Sequence, residues 1–330
     1  MERIIPDYYQ QFRCIASACP DSCCKEWAVD VDEESAARYR ALPGELGDRL
    51  RAVLRDTPDG TVMTIENGRC PMWRDDGLCR IQAQFGHDAL CQVCQTFPRL
   101  THDYGDYVEL GLELSCPEAA RLILSSNNTV STQIVPGGEE PDYDTDTFAV
   151  LRRSREEYLA YLSAAPSLPQ ALAVLLLYAC EVQSELDSGE PAILNPEYAL
   201  SQAQKFAKPG SMEDIFQFFG TLEILTPQWK SILDADLCTQ QWDPRLKQFL
   251  VYLIRRYWLQ AVSDYDLVGR AKFCIIACLL LSAIPGDLTE TAQLFSKEIE
   301  NDPDNVDAIL DGAYCHRALT DVALLGLLLL

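Results

Sequence analysis

Apolar residues recur at intervals of three and four positions through the second half of the chain. Leu151, Tyr158, Leu159 and Leu162 follow this spacing, and further segments continue it. These segments are 168–185, 212–225, 244–262, 267–281, 289–299 and 306–330. Because such spacing places apolar side chains on one face of an α-helix, it predicts an all-α helical domain of about six or seven helices over residues 148–330.

Residues that favour the first turn of a helix support several of these boundaries. Ser211 precedes two acidic residues, Asp243 precedes Pro244, and Asp287 precedes Thr289. Short polar side chains accept hydrogen bonds from the free N–H groups of a first turn, and proline fits that turn. The sequence therefore predicts helices that begin near these positions.

Residues 1–147, which precede the predicted helical domain, differ from it in composition. Residues 1–125 are rich in cysteine, turns and short segments, whereas the stretch from Asn127 to Asp146 holds five acidic residues, no basic ones and Pro136-Gly137-Gly138. This composition predicts a loop or linker. We therefore expect a mainly α protein: an irregular cysteine-rich metal-binding domain over 1–125, an acidic linker or loop over 126–147, and the helical domain.

The length and charge of the chain limit its partners. The 330 residues are 48% hydrophobic, enough to bury the core of one or two domains. Acidic residues number 50 against 27 basic ones, a formal charge of −23. That charge repels phosphate backbones, so nucleic acid is not expected as a partner. A strongly negative net charge favours solubility and is compatible with binding to a basic partner.

The apolar runs predict buried helices. The longest runs, 273–284 and 322–330, are shorter than the roughly 20 residues that cross a bilayer as a helix, so no membrane partner is expected. Residues 1–7 show no basic stretch followed by an apolar run. Such a start lacks the pattern of a secretory signal and predicts a cytoplasmic protein.

Nine of the fourteen cysteines fall within the first 116 residues. They are Cys14, Cys19, Cys23, Cys24, Cys70, Cys79, Cys91, Cys94 and Cys116. In a reducing compartment, cysteines grouped in this way favour metal binding over disulfides. Cys23 and Cys24 are adjacent, with Cα atoms about 3.8 Å apart, whereas a disulfide prefers about 5.5 Å.

The later cysteines of this set stand beside turn residues. Cys70 lies in Gly68-Arg69-Cys70-Pro71, Cys79 follows Gly77, and Cys116 precedes Pro117. Backbone amides in turns can approach thiolate sulfurs and stabilise their charge, as at iron–sulfur sites. Four thiolates also bind zinc, so the sequence favours an iron–sulfur cluster and leaves zinc as the alternative.

The number of cysteines allows one or two four-ligand centres. For a single cluster, the cysteines beside turns or in close groups are favoured: Cys19, Cys23, Cys24, Cys70, Cys79 and Cys94. Cys180, Cys274 and Cys278 lie in apolar helical patterns and are expected to pack as small hydrophobic residues. Cys238 and Cys315 have polar surroundings without a complete set of ligands, and we exclude them from the site.

Several cysteine motifs occur together and in a characteristic order. They are Phe12-Arg13-Cys14, Ala18-Cys19-Pro20-Asp21-Ser22-Cys23-Cys24, Gly68-x-Cys70-Pro71, Cys79, Cys94-x2-Phe97-Pro98-Arg99 and Leu114-Ser115-Cys116-Pro117-Glu118. Through residue 125 this combination resembles the flagellin lysine N-methylase family, within the wider group of zinc- or iron-chelating CxxCxxCC proteins. The resemblance implies eight metal ligands and leaves Cys91 as an extra: Cys14, Cys19, Cys23, Cys24, Cys70, Cys79, Cys94 and Cys116.

The resemblance also implies an activity. A member of this family is expected to be a protein-lysine N-methyltransferase that methylates flagellin, with S-adenosylmethionine as methyl donor and an iron–sulfur cluster, of the 4Fe–4S type, as cofactor. Two other functions remain open. One is a non-catalytic metal or redox module whose helical domain docks a partner, and the other is a protein that stores or delivers iron or zinc.

The residues themselves do not define the methyl-donor site. The sequence has no glycine-rich turn with a downstream acidic residue, which is the usual signature of a nucleotide-binding fold. The C-x3-C-x2-C motif of radical S-adenosylmethionine enzymes is incomplete: Cys19 and Cys23 have the right spacing, but Glu26 stands where the third cysteine is required. Polar methyl transfer needs a base to deprotonate the lysine. Candidates in the cysteine-rich region are Tyr104, Tyr107, His87, His102, Glu109, Glu113 and Glu118.

Overall fold

The computed structural model describes residues 1–25, 27–58, 60–235 and 238–330. Glu26, which interrupts the radical-enzyme motif, lies outside the described residues. The chain is mainly α, as predicted, with two small β-sheets in its first 134 residues. No described helix is both long and apolar enough to cross a membrane.

The cysteine-rich region contains more regular structure than expected. Its strands are β1 (Glu2–Pro6), β2 (Val29–Val31), β3 (Leu54–Thr57), β4 (Gly60–Met63), β5 (Arg99–Asp103), β6 (Tyr107–Leu112) and β7 (Val130–Ile134). One sheet has the order β5-β6-β1-β7, with β1 parallel to β6 and antiparallel to β7. The other is antiparallel, in the order β2-β4-β3. Buried apolar residues such as Ile4 and Val29 hold these strands against two cores.

The segment 126–147 differs from the loop or linker that its composition predicts. Strand β7 pairs along its whole length with β1, from Ile134 opposite Glu2 to Val130 opposite Pro6. All five β7 residues are exposed, so the strand buries no apolar face. It is held in the sheet by backbone hydrogen bonds to β1. The next helix begins at Thr145, where the Asp144 carboxylate accepts hydrogen bonds from the first turn.

Helices surround the sheets and form most of the chain. They are α1 (Glu33–Ala41), α2 (Gly44–Val53), α3 (Arg80–Phe85), α4 (Gln92–Thr96), α5 (Pro117–Leu124), α6 (Thr145–Ala164), α7 (Leu168–Ser188), α8 (Pro196–Phe206), α9 (Met212–Phe219), α10 (Pro227–Leu233), α11 (Leu246–Tyr257), α12 (Ala261–Asp264), α13 (Leu267–Ala283), α14 (Leu288–Phe295), α15 (Pro303–Cys315) and α16 (Asp321–Leu329). A π-helix (Ser296–Glu300) continues α14.

Most predicted helices are present, although several of their bounds differ. Helix α9 ends at Phe219 instead of residue 225, and the predicted helix over 306–330 divides into α15 and α16 around a short 3-10 turn. The predicted N-terminal caps at Ser211 and Asp287 are confirmed, since both side chains accept hydrogen bonds from the following turn.

The buried residues form two cores of unequal size. The larger core centres on α13, whose residues are nearly all buried, and it also holds Ile4 of β1 and much of α5. Cys274 and Cys278 are buried in it, as their apolar settings predict. The smaller core is built around Val31, Leu50 and Met72.

A buried ion pair ties the four-stranded sheet to the helices. Arg155 of α6 donates two hydrogen bonds to the Glu109 carboxylate of β6, at 2.6 and 2.7 Å, and both side chains are buried. The Tyr107 hydroxyl donates to the same carboxylate at 2.8 Å. Such a pair fixes the position of β6, and of the residues after it, against the helical core.

Candidate metal centre and adjoining acidic cavity

The predicted cysteines converge on one cavity of about 290 Å³. Its walls include seven of the eight: Cys14, Cys19, Cys23, Cys24, Cys79, Cys94 and Cys116. Cys70 is buried outside these walls, and its backbone N–H donates to the Cys24 carbonyl at 2.7 Å. The sequence therefore identified residues that the fold brings together across a hundred positions of chain.

Short turns shape the loop that carries the first four cysteines. The backbone N–H of Cys19 donates to the Ala16 carbonyl at 3.0 Å, and the Cys19 thiol donates to the Asp21 carbonyl at 3.0 Å. The Ser22 hydroxyl accepts from the Cys24 N–H at 3.2 Å. These local bonds hold the loop in turns, and all four of its cysteines line the cavity.

Three other cysteines occupy the position just before a helix. Cys79 precedes α3, Cys91 precedes α4 and Cys116 precedes α5. The unpaired N–H groups of a first turn stabilise negative charge, which favours a thiolate. At Cys116, burial raises the thiol pKa to about 11, and the backbone N–H groups of Ala119 and Glu118 oppose that rise.

Two pairs of thiols are joined by hydrogen bonds. The Cys23 thiol hydrogen-bonds to Cys24, which raises the pKa of Cys23 and lowers that of Cys24 to about 7. The Cys94 thiol hydrogen-bonds to Cys91 in the same way, raising the pKa of Cys94 and lowering that of Cys91 to about 7. Each pair thus provides one readily formed thiolate, the form of cysteine that binds metals.

The donor atoms fit a thiophilic metal group. Among the described residues, no three His, Cys, Asp or Glu side chains are placed to hold a single metal ion. The thiols instead surround a cavity, and the ligands of an iron–sulfur cluster bind different iron atoms, so they lie farther apart than ligands of one ion. Soft sulfur donors near backbone N–H groups suit such a cluster or zinc.

A second cavity, of about 580 Å³, adjoins the cysteine-lined one. The two share wall residues, namely Cys23, Trp27, Cys94 and Phe97. Six carboxylates line the second cavity: Asp30, Glu113, Glu223, Glu298, Glu300 and Asp302. Two basic residues, Arg256 and Lys297, accompany them, so the walls carry a formal excess of negative charge. We call this the acidic cavity.

Glu113 is the best placed of the predicted bases. It lines the acidic cavity, and its carboxylate accepts from the Ser115 hydroxyl at 3.3 Å. Burial raises the pKa of Glu113, against the opposing effect of Arg256. Glu300 is more heavily engaged, since it lies 3.2 Å from the Arg256 guanidinium and accepts from the Tyr257 hydroxyl at 3.0 Å.

The other candidate bases lie elsewhere or have partners. Glu109 is held by Arg155 in the buried pair. His102 lines neither cavity, and burial lowers its pKa to about 4. His87 and Glu118 line the cysteine cavity, where Glu118 is paired with Arg121 at 2.7 Å.

The two phenolic candidates are structural. The rings of Tyr104 and Tyr107 pack against the Phe148 ring in tilted and edge-to-face arrangements, and burial raises the pKa of both hydroxyls. A phenol whose pKa is raised stays protonated at neutral pH, so very little phenolate is present to accept a proton.

Sequence reasoning missed the residues that the helical part adds to the site. Lys297, in the π-helix, lies 2.9 Å from the Asp21 carboxylate and 5.1 Å from the centre of the Trp27 ring. Gln293 donates to Asp21 at 3.0 Å and to the Ser115 carbonyl at 2.8 Å. π-Helical turns are frequent at functional sites, but no local sequence pattern marks this one.

Several known proteins are similar in sequence to this chain. Two proteins named lysine-N-methylase, from Salmonella choleraesuis strain SC-B67 and Salmonella typhimurium strain LT2, are each 26% identical to this chain over 272 residues. Each match covers 77% of this chain and 60% of the relative. The chain thus spans less than two thirds of the length of these relatives.

A third relative has a flagellar name. The flagellar biosynthetic protein FliU of Salmonella muenchen is 28% identical over 169 residues, which cover 47% of this chain and 92% of that protein. No family model matches the chain, and no solved structure matches it. The methylase-named relatives confirm the predicted resemblance to the flagellin lysine N-methylase family.

Proposed function

We propose that this protein is a cytoplasmic lysine N-methyltransferase that transfers methyl groups from S-adenosylmethionine to lysine side chains of flagellin. The observation that carries the proposal is the shared wall between the thiol-lined cavity and the acidic cavity. The names of the relatives, lysine-N-methylase and a flagellar biosynthetic protein, support the reaction and the substrate.

The acidic cavity suits both reactants. A lysine ammonium and the sulfonium of S-adenosylmethionine are cations, and carboxylates in a partly desolvated cavity attract both. The attacking lysine must first lose a proton, because its ordinary pKa is about 10.4. Glu113 is the base we propose, since burial raises its pKa and a carboxylate of higher pKa accepts a proton more readily.

The proposed reaction balances as a simple displacement. Glu113 takes one proton from the lysine ammonium, and the free amine attacks the methyl carbon of the sulfonium. The new N–C bond forms as the S–C bond breaks, its electron pair stays on sulfur, and S-adenosylhomocysteine leaves as a neutral thioether. The chain's part is to hold the two cations together, exclude water and accept the proton.

The cysteine cavity is the proposed site of an iron–sulfur cluster, with zinc as the alternative. Its ligands would come from the predicted cysteines. Four of these lie on the loop before β2, Cys79 and Cys116 precede α3 and α5, Cys94 lies in α4, and Cys70 lies between β4 and α3. A bound cluster would join these elements covalently and so fix the wall that the two cavities share. Trp27 lies on that wall, with the Lys297 ammonium 5.1 Å from the centre of its ring.

One observation favours a second function. Cys14 and Cys23 are exposed, so the cavity is accessible to solvent at these thiols. Exposed thiols can exchange a metal with another protein, as expected of a module that stores or delivers iron or zinc. Such a protein would bind metal but would not modify flagellin.

Incubation with flagellin separates the two functions. Protein purified without oxygen is mixed with S-adenosylmethionine and flagellin, and flagellin peptides are then analysed by mass spectrometry. We expect increments of one methyl group, or multiples of it, on lysine residues, with loss of these increments in Cys23→Ser. The matched control Cys180→Ser, in α7 outside both cavities, should retain them. An unmodified flagellin would contradict the proposal.

A further inference from the structure

A third cavity, of about 500 Å³, lies in the cysteine-rich region. The start of α2, the helix α3 and the turn before α3 form its walls. On α3, Gln82 lines the cysteine cavity, whereas Arg80 and Ala83 line the third one. Helix α3 therefore lies between this cavity and the candidate metal centre. We call it the arginine cavity, because Arg49, Arg74 and Arg80 are among its walls.

The charge of the arginine cavity is opposite to that of the chain. Three arginines face one acidic wall residue, Glu45, within the part of the chain that the structure describes, which leaves a formal excess of two positive charges. The Glu45 side chain is 94% exposed and lies 3.9 Å from the Arg49 guanidinium, so this pair is loose and well solvated. The whole chain carries −23. A local positive region of this kind attracts an anion to one place on an otherwise acidic protein.

The backbone fixes the elements from which the arginines extend. The N–H of Arg74 donates to the Leu78 carbonyl at 2.9 Å, and the N–H of Arg80 donates to the Met72 carbonyl at 2.8 Å. Both arginines therefore belong to one short antiparallel turn, which the fully buried Met72 anchors in the smaller core. Arg49 belongs to α2, whose buried side packs in the same core. A ligand would thus have to order little more than the side chains themselves.

The Arg80 guanidinium has no acceptor within the described part of the chain. No hydrogen bond or ion pair engages it there, and its Nε atom is shielded from solvent without a partner. Arg74, by contrast, lies 2.5 Å from the Asp76 carboxylate. A shielded donor without an acceptor costs free energy, and an acceptor that a ligand supplies removes that cost. Arg80 is therefore the residue that gains most from a bound anion.

We propose that the arginine cavity binds a small phosphate compound, either inorganic phosphate or a phosphate monoester. Guanidinium groups bind phosphate oxygens through pairs of parallel hydrogen bonds. A phosphate monoester carries a charge of about −1.5 to −2 at pH 7 and has three acceptor oxygens, which suits three arginines with an excess of two positive charges. A carboxylate offers one charge and two oxygens. A long polyanion such as nucleic acid is repelled by the rest of the chain.

Isothermal titration calorimetry with inorganic phosphate tests the site without reference to methyl transfer. The full chain, purified without oxygen, is titrated at low ionic strength in a buffer free of phosphate. We expect one phosphate to bind per chain, and the affinity to fall about tenfold or more in Arg80→Gln. Arg49→Gln changes a different wall of the cavity and should also weaken binding. Circular dichroism reports the folding of each variant.

The matched control is Arg317→Gln. It removes the same charge from an arginine that is 78% exposed and paired with Asp214, far along the chain from the cavity residues. Its affinity for phosphate should equal that of the wild type. Equal losses in Arg80→Gln and Arg317→Gln would assign the binding to net charge and overturn the proposal, as would a wild type that shows no saturable binding.

Two comparison ligands define the chemistry of the site. Glycerol phosphate that binds as tightly as inorganic phosphate supports a monoester as the ligand, whereas binding of inorganic phosphate alone supports the free ion. Acetate tests the carboxylate, and acetate that binds as tightly as phosphate would overturn the choice of phosphate. Should both cavity variants fail to fold, this comparison on the wild type decides: saturation by phosphate without saturation by acetate supports the site.

Discussion

The Lys297 ammonium lies 2.9 Å from the Asp21 carboxylate, joining the π-helix to the cysteine loop across 276 residues of sequence. Lys297 is buried, with 2% of its side chain exposed. Asp21 lies between Cys19 and Cys23, so the pair positions the loop that carries both thiols. The helical part of the chain thereby forms part of the candidate site.

Removal of this contact should destabilise the protein. We expect Lys297→Gln to lower the free energy of unfolding by about 2 kcal/mol, because a buried hydrogen bond to a charged group is lost. Urea denaturation, followed by circular dichroism, measures the change. The matched control is Lys25→Gln, since Lys25 lies 3.8 Å from the same carboxylate but is more exposed. Equal effects of the two substitutions would contradict the role given to Lys297.

Glu113→Gln tests the proposed base. The substitution keeps the size of the side chain and removes its ability to take a proton, so the methylation rate should fall by about 10²- to 10⁴-fold. Glu223→Gln removes a carboxylate from the same cavity and should have a much smaller effect. Similar losses in both variants would assign the effect to cavity charge instead of to Glu113.

The pH dependence of methylation follows from the same residue. Burial raises the pKa of Glu113, so the carboxylate becomes protonated at a higher pH than an ordinary glutamate as the solution is acidified. The wild-type rate should fall through that pH as the base form disappears. In Glu113→Gln this acid-side decline should be absent, and its persistence would show that another group titrates.

The buried pair of Arg155 and Glu109 should control acid stability. Burial raises the pKa of Glu109, but the Arg155 guanidinium outweighs it and leaves the folded-state pKa below the ordinary value. The stabilisation is therefore present above the unfolded-state pKa of about 4.3 and is lost as pH falls through the lower folded-state value. Arg155→Met leaves a buried carboxylate without its partner, and we expect a loss of about 3–5 kcal/mol at neutral pH.

Unfolding at a series of pH values checks this expectation. The exposed pair of Arg40 and Asp56 provides the control, because Arg40→Met should change stability little. If Arg155→Met unfolds with the same midpoint as the wild type at neutral pH, the pair does not hold β6 against α6.

Metal removal should loosen the cysteine-rich part selectively. The smaller core is limited in size and includes Cys70 and Cys91, whereas α13 is buried in the larger core. After chelation we expect faster amide hydrogen exchange around Cys70 and in α3, with protection of α13 unchanged. Uniformly faster exchange, or none, would contradict a metal-dependent smaller core.

The sequence predicted the parts of the site that depend on residue type. Cysteine is rare and chemically distinctive, so its grouping before residue 117 indicated a common site, and seven predicted ligands line one cavity. Helix α7 was also predicted from the sequence, because its apolar spacing extends from Leu168 through Glu185 without interruption.

The acidic cavity could not be predicted from the sequence. Glu113 was one of seven candidate bases, but Glu300 was not among them. Most of the helical region separates the two residues, and acidic residues are common throughout this chain. Strand β7 was missed for a similar reason: it pairs through backbone atoms, and its exposed side chains give no apolar signal.

Transfer of an isotopically labelled methyl group tests the central claim most directly. Metal-loaded protein is incubated with flagellin and S-adenosylmethionine that carries a deuterated methyl group, and the label is located by mass spectrometry. The account predicts deuterated methyl groups on flagellin lysine nitrogens, at a rate strongly reduced by Glu113→Gln. Metal-loaded, folded protein that leaves flagellin unlabelled would contradict it.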